Sequence, residues 1–273
     1  MLRVRGTSRV LAVLGDPVAH SISPEMQNAA IAALGLNAVY VPLHVPAAAL
    51  AATLDACAAL GIAGNLTVPH KAAAIDRITH PSPLARRLGA VNTFWAEAGT
   101  LYGDNTDVLG LADVLATLEA PAPWLLCGTG GSARAVAAAA ARADVEVLVR
   151  SRSAERGSAF LVWARGAEAS LAIRLDDGGA VGTVINATPL GLDPADPHPV
   201  PRERLAGSRV ALDLVYRPGE TAWVRACRAL GLAAADGREL LVSQGAHAFE
   251  RFFPGQRAPR ELMRAAVNRA LSG

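Results

Sequence analysis

The sequence predicts an α/β protein with largely parallel sheets and a helical tail. Three observations carry that prediction. Short apolar runs alternate with alanine-rich amphipathic stretches along most of the chain. One of those runs ends in a glycine-rich turn that opens a helix. From about residue 238 to 271 only helical periodicity remains.

The apolar runs at 10–14, 38–45, 91–95, 124–127, 145–149, 182–186 and 209–214 read as strands. Helical stretches lie near 24–34, 47–60, 105–118, 131–142, 154–164 and 220–230. The first helix has start signals of its own: Ser23 is a good N-cap and Pro24 a good first residue. The stretch 105–118 runs out before Pro121 and Pro123, which stop a helix and mark a linker, so a domain boundary is expected near 105–122. In the tail, Leu240, Leu241, Ala248, Phe249 and Phe252 form an apolar face that also holds Gln244, where a buried amide needs a partner.

At 273 residues the chain can hold one large domain or two modest ones and needs no disulfide staples. A 52% hydrophobic and 18% charged composition marks it as globular rather than disordered. A net charge of +2 without a basic block argues against a nucleic-acid-binding surface. Cys57, Cys127 and Cys227 lie far apart with no CxxC pair, and the six histidines lack HExxH spacing; no metal is expected and a reducing compartment is. Behind Arg3, Arg5 and Arg9, the apolar run from Val10 to Leu14 is too short for a signal-peptide core. No run reaches the ~18 apolar residues of a membrane span. These features predict a soluble, cytoplasmic protein with no membrane partner.

Of the 26 basic residues all but one are arginine. A GC-rich genome explains the rarity of lysine but not the exception, Lys71. Arginine stays charged at any working pH, whereas lysine can be tuned toward proton donation, so Lys71 is a candidate for chemistry.

Residues 124–137 read WLLCGTGGSARAVA. This strand–turn–helix with Gly128, Gly130 and Gly131 is a dinucleotide-binding turn of a Rossmann-type domain. Its glycines let main chain approach a pyrophosphate, and Ala133 lets the helix pack close to the strand. Thr129 and Ser132 complete the turn, and the helix N-terminus faces the phosphate charge. The next strand, 145–149, ends in Arg150, Ser151, Arg152 and Ser153, with Arg156 beyond, and has no acid there for the ribose hydroxyls. Arg152 and Arg156, four apart at a helix start, are expected to converge on one anion, which favours the 2′-phosphate of NADP over NAD.

Further polar clusters are GDPVAHSISP (15–24), GNLTVPHK (64–71), GAVNT (89–93), GDNTDVLG (103–110) and NATPLG (186–191). Each joins a strand end to polar and turn-forming residues, where α/β proteins bind ligands. Ser21 and Ser23 read as a carboxylate cradle on an extended segment or, for Ser23, as a helix cap. Asp107 reads as a site acid or as an acid at a helix N-terminus. Asn92 and Asn105 read as turn caps or ligand contacts. Taken together, a lone lysine, an acid, amides and hydroxyls suit a polyhydroxylated acid.

In order, HSxSP, GxNxTxPxK, GAVNT, NTD, GxGGxxxA, NAT, DxxYxPxxT and a Gln in a C-terminal helix resemble the shikimate dehydrogenase family along nearly the whole chain. The resemblance implies an N-terminal α/β substrate domain over 1–107, completed by C-terminal helices over 238–273 that return to it, and an NADP-binding domain over 108–237. It implies reversible reduction of 3-dehydroshikimate by NADPH, with Lys71 and Asp107 as the catalytic pair. Ser21, Ser23 and Thr67 would hold the substrate carboxylate with Tyr216 nearby, and Asn92, Asp107 and Gln244 the ring hydroxyls. Thr188 and Gly237 would join the cofactor side. A monomer and a homodimer both remain open. So do quinate or aminoshikimate as substrate, and a non-catalytic NADP-binding regulator. The sequence departs from the family pattern at Gln27 (commonly His), Val108 (Gly), Pro189 (Ser) and Leu240 (Met).

Overall fold

A computed structural model describes residues 4–272; Arg3 lies outside them. The chain forms two compact units, Met1–Thr106 with Val242–Ala270, and Asp107–Leu241 with Leu271–Gly273. The proline linker at 121–123 therefore falls inside the second unit.

The first unit contains β1 (Arg9–Gly15), α1 (Ser23–Ala33), β2 (Ala38–His44), α2 (Leu50–Leu60), β3 (Ala63–Leu66), α3 (His70–Ala73), β4 (His80–Pro81), α4 (Pro83–Leu88), β5 (Thr93–Glu97) and β6 (Thr100–Asp104). Its sheet runs β2-β1-β3-β5-β6-β4. β1 pairs in parallel with β2 and β3, and β5 is antiparallel to β3 and β6. β1 lies between two parallel neighbours, and its buried run from Leu11 to Gly15 is what such a central strand requires. Leu14, Leu54, Leu66 and Phe94 build the core beneath it.

The second unit begins in α5 (Thr106–Thr117) and continues through β7 (Trp124–Cys127), α6 (Gly131–Ala143), β8 (Val147–Arg150), α7 (Ala154–Ala167), β9 (Ile173–Leu175), β10 (Thr183–Asn186), β11 (Val210–Asp213), α8 (Ala222–Ala229) and β12 (Ala233–Ala235). Its sheet is all parallel in the order β12-β11-β10-β7-β8-β9. The strand order reverses between β7 and β10, which places a ligand crevice at their carboxyl ends. The buried face of α6 is almost entirely alanine, so this helix lies close to its sheet.

α9 (Gly237–Phe252) and α10 (Arg260–Ser272) end the chain, and most of both belongs to the first unit. Within that unit Arg9 donates to the Phe252 carbonyl at 2.5 Å. Periodicity does not reveal β4, β6, β9, β12 and α4, all of them short.

Among the described residues no helix is long and apolar enough to cross a membrane, and no group of His, Cys, Asp and Glu could hold a metal ion. All three cysteines are free and buried. Burial pushes the Cys57 thiol up to about 11 and those of Cys127 and Cys227 up to about 12, which keeps them protonated.

Candidate active site

Strand direction gathers the polar residues of the first unit at one sheet edge. Gly15 pairs with His44 and Leu14 with Leu66, so β1, β2 and β3 end together. β5 starts at that edge, where Thr93 pairs with both Asn65 and Asp104, and β6 ends there. The segments carrying Ser21, Ser23, Thr67, Lys71 and Asn92 all leave the sheet from this edge.

Ser23 is not the N-cap. Ile22 holds that position with φ −94° and ψ 9°, so the serine pair is not on an extended segment, and no side chain caps α1. Instead the Ser23 N–H donates to Ser21 Oγ at 3.4 Å, which leaves Ser23 as the first helical residue. Thr67 N–H donates to the Leu14 carbonyl at 2.9 Å. Lys71 is half-buried in α3, and its carbonyl accepts from Val91 N–H at 2.8 Å, next to Asn92.

Asn92 is buried, and its Oδ1 accepts from Thr106 N–H at 2.7 Å, Thr93 Oγ1 at 3.0 Å and Thr106 Oγ1 at 3.2 Å. It therefore caps α5 from a distance and fixes the turn that carries Asp107. Its Nδ2 donates to Gln244 Oε1 at 3.5 Å, giving that amide the partner its apolar face demanded. Asn105 donates to the Ala90 carbonyl at 3.1 Å. Sequence reasoning missed Asn65, which accepts from Tyr40 Oη at 2.7 Å and donates to Thr93 Oγ1 at 3.0 Å. It also missed Asp104, bonded by Ser82 Oγ at 2.7 Å and by Arg251 Nη2 at 3.0 Å. Their polar identity inside otherwise apolar strands was the available signal.

In the second unit Gly128 has φ +111°, and a Cβ there would lie 2.7 Å from the Ala187 carbonyl oxygen. The turn thus needs glycine for conformation and for close approach to the segment after β10. A Cβ at Gly130 or Gly131 would meet nothing within 4 Å, and no side chain caps α6. Exposed main chain at a helix start, flanked by Thr129 and Ser132, fits a pyrophosphate. Ala133 is fully buried against the sheet.

The arginines are arranged differently from expectation. Ser153 is the N-cap of α7 and accepts from Arg156 N–H at 3.2 Å. Arg152 precedes that cap, so the helical i, i+4 relation does not align it with Arg156; both are exposed. Arg150 donates to Asp176 Oδ2 at 3.3 Å, and Arg204 donates to Asp176 Oδ1 at 2.7 Å. Asp176 is thus an acid beside the end of β8 that the sequence did not reveal, and it is neutralised by two arginines. Burial alone would raise its pKa, but Arg204, the Gly178 N–H and Arg150 hold it below the ordinary carboxylate value.

Thr188 donates to Asn186 Oδ1 at 2.6 Å, and Asn186 Nδ2 donates to Asp213 Oδ1 at 2.8 Å. Asp213 also accepts from Thr221 Oγ1 at 2.7 Å and Val215 N–H at 3.1 Å, anchoring the segment that leads to Tyr216. Burial pushes the Tyr216 pKa up, so its hydroxyl remains a protonated donor. A Cβ at Gly237 would lie 2.4 Å from the Leu214 carbonyl oxygen, so only glycine fits where α9 starts. Val108 is fully buried, Leu240 half-buried and Pro189 exposed.

With this geometry in place, comparison with known proteins identifies the family. Residues 13–94 match the shikimate dehydrogenase substrate binding domain, and residues 237–267 match the shikimate 5′-dehydrogenase C-terminal domain. A shikimate dehydrogenase (NADP(+)) of Symbiobacterium thermophilum is 39% identical over 98% of this chain and 97% of its own. The chain belongs to the shikimate dehydrogenase family. A crystal structure of the shikimate 5-dehydrogenase from Thermus thermophilus, in complex with NADP(H) and shikimate, superposes with a TM-score of 0.88 at 37% identity, covering 96% of this chain and 99% of that one. The family fold also carries a quinate dehydrogenase from Corynebacterium glutamicum in complex with NAD, at a TM-score of 0.86 and 31% identity over 95% and 98% of the two chains.

Proposed function

We propose that this chain catalyses the reversible NADPH-dependent reduction of 3-dehydroshikimate to shikimate. The observation that carries the reading is the single sheet edge from which the segments of Ser21, Ser23, Thr67, Lys71 and Asn92 arise, in a member of this family. Ser21, Ser23 and Thr67 hold the substrate carboxylate with Tyr216, while Asn92, Asp107 and Gln244 hold ring hydroxyls. Gly128 to Ala133 take the pyrophosphate. Ser151, Arg152 and Arg156 take the 2′-phosphate with Arg150 beside them, and Thr188 and Gly237 complete the cofactor side. Neutralised Asp176 offers no free carboxylate to ribose hydroxyls, which supports NADP over NAD.

NADPH supplies the hydride for the ketone carbon. Negative charge then builds on the ketone oxygen, where Lys71 Nζ stabilises it and donates a proton, and the Asp107 carboxylate holds the ammonium in place. In the reverse direction Lys71 accepts the proton of the hydroxyl. The protein acts in the cytoplasm, as a monomer or a homodimer; its free, buried thiols suit a reducing compartment.

NADPH formation from shikimate and NADP+ tests the reading, with quinate and NAD+ in parallel. Turnover confined to shikimate with NADP+ is expected. Preference for quinate or NAD+ would keep the mechanism and revise the pocket. NADPH binding without turnover on either acid would favour the non-catalytic regulator.

A further inference from the structure

Gln27 stands outside the roles above, yet it is fully buried. It lies four residues after Ser23 on α1, so the two share a helix face. Its Nε2 donates to the Gly245 carbonyl at 3.0 Å, one residue beyond Gln244 on α9. That carbonyl already belongs to the α9 hydrogen-bond ladder, so Gln27 adds a second donor to it. The two helices cross closely here: a Cβ at Gly245 would lie 2.2 Å from Met26 Cε. Gln27 Oε1 is buried without a partner. A buried amide that leaves one acceptor unsatisfied is a poor choice for stability alone, since each such group costs about 1–3 kcal/mol.

We propose that Gln27 is a positioning residue for substrate affinity. It acts as a strut that sets the spacing between Ser23, at the carboxylate end of the substrate, and Gln244, at the ring-hydroxyl end. This rests on the substrate reading given above. The strut continues through Gln244 Oε1 to Asn92 and the cap of α5, so one amide on α1 also restrains the far side of the pocket.

Gln27→Met tests this, because methionine keeps the length of the side chain while removing both the donor and the unsatisfied acceptor. The expected result is a KM for shikimate raised about fivefold, the loss of one hydrogen bond, with kcat and the KM for NADP+ within about twofold. Gln27→His, whose ring N–H can donate, is expected to recover most of the loss. If the methionine variant does not accumulate, Gln27→Leu takes its place. A KM for shikimate unchanged in the apolar variant overturns the proposal. So does a matching loss in kcat and in apparent affinity for both shikimate and NADP+, which marks a purely structural role. If the wild-type protein neither binds nor turns over shikimate, the substrate reading fails by itself. Amide exchange then decides the strut: faster exchange confined to residues 244–249 of the apolar variant supports it, and an unchanged pattern overturns it.

Discussion

The two units prepare for their ligands with different material. In the unit of the glycine turn the proposed contact surface is main chain: the open edge at Gly130 and Gly131 and the uncapped start of α6. In the other unit the proposed surface is side chains, some of them bonded to a neighbour before any ligand arrives, as Asn92 is to Thr106 and Gln244 to Asn92. A surface of main chain suits a common, sequence-tolerant charge such as a pyrophosphate. A surface of interlocked side chains suits a small acid whose hydroxyls must be told apart. The first kind depends on its glycines, and the second kind on the identity of its side chains.

Lys71→Ala is the largest expected break. It removes the proposed proton donor, so kcat should fall about a hundred- to ten-thousandfold, while NADPH affinity, measured by fluorescence titration, stays within about twofold. An equal loss of cofactor affinity would mean that the two ligand surfaces are not separable as argued. Gly128→Ala tests the opposite half. Its new Cβ meets the Ala187 carbonyl oxygen at 2.7 Å in a backbone conformation with φ +111°. The expected cost is about 2 kcal/mol or more of stability in urea, together with lost NADPH binding. A stable variant that still binds cofactor would refute the main-chain account.

How far these halves can be read from sequence follows the same division. The glycine turn is legible because its glycines, strand and helix are consecutive residues with fixed geometric duties. Lys71 stands out because arginine occupies every other basic position. The side-chain lattice is not legible, because its partners meet only after folding. Gln27 reaches Gly245 across 218 positions, and no local pattern announces that bond. Ser23 has the chemistry of a cap and is not one, because the helix begins with Ser23 itself and leaves the cap position to Ile22. Arg152 and Arg156 have the spacing of one helical face and do not share it, because the position of the cap, Ser153, decides which of them is inside the helix.

Arg152 is the intermediate case, a side chain on the main-chain half. Exposed before its cap, it has the 2′-phosphate as its proposed contact. Arg152→Ala should narrow the preference for NADP+ over NAD+, as a ratio of kcat/KM, by about tenfold, the worth of one charge-assisted bond. An unchanged ratio would move the phosphate contact to Arg156 or Arg150.

Asp176 should give the smallest effect and sharpens the comparison most, because it is a side-chain cluster inside the main-chain half. Its pKa is lowered in the folded protein, so the stability it contributes is present above the unfolded value of about 3.9 and is lost as pH falls through the lowered one. Asparagine carries no such titration. Asp176→Asn should therefore be less stable than wild type at pH 7, and the gap should close as pH falls below about 4. Urea unfolding of both proteins at neutral and acid pH measures it. A gap independent of pH would mean that shape, rather than charge, holds Arg150 and Arg204 beside β8. The same variant reports on Arg150: if Asp176 fixes that guanidinium for the cofactor, the NADP+ over NAD+ ratio moves with the stability gap, and if the cluster is structural alone, the ratio stays where it was.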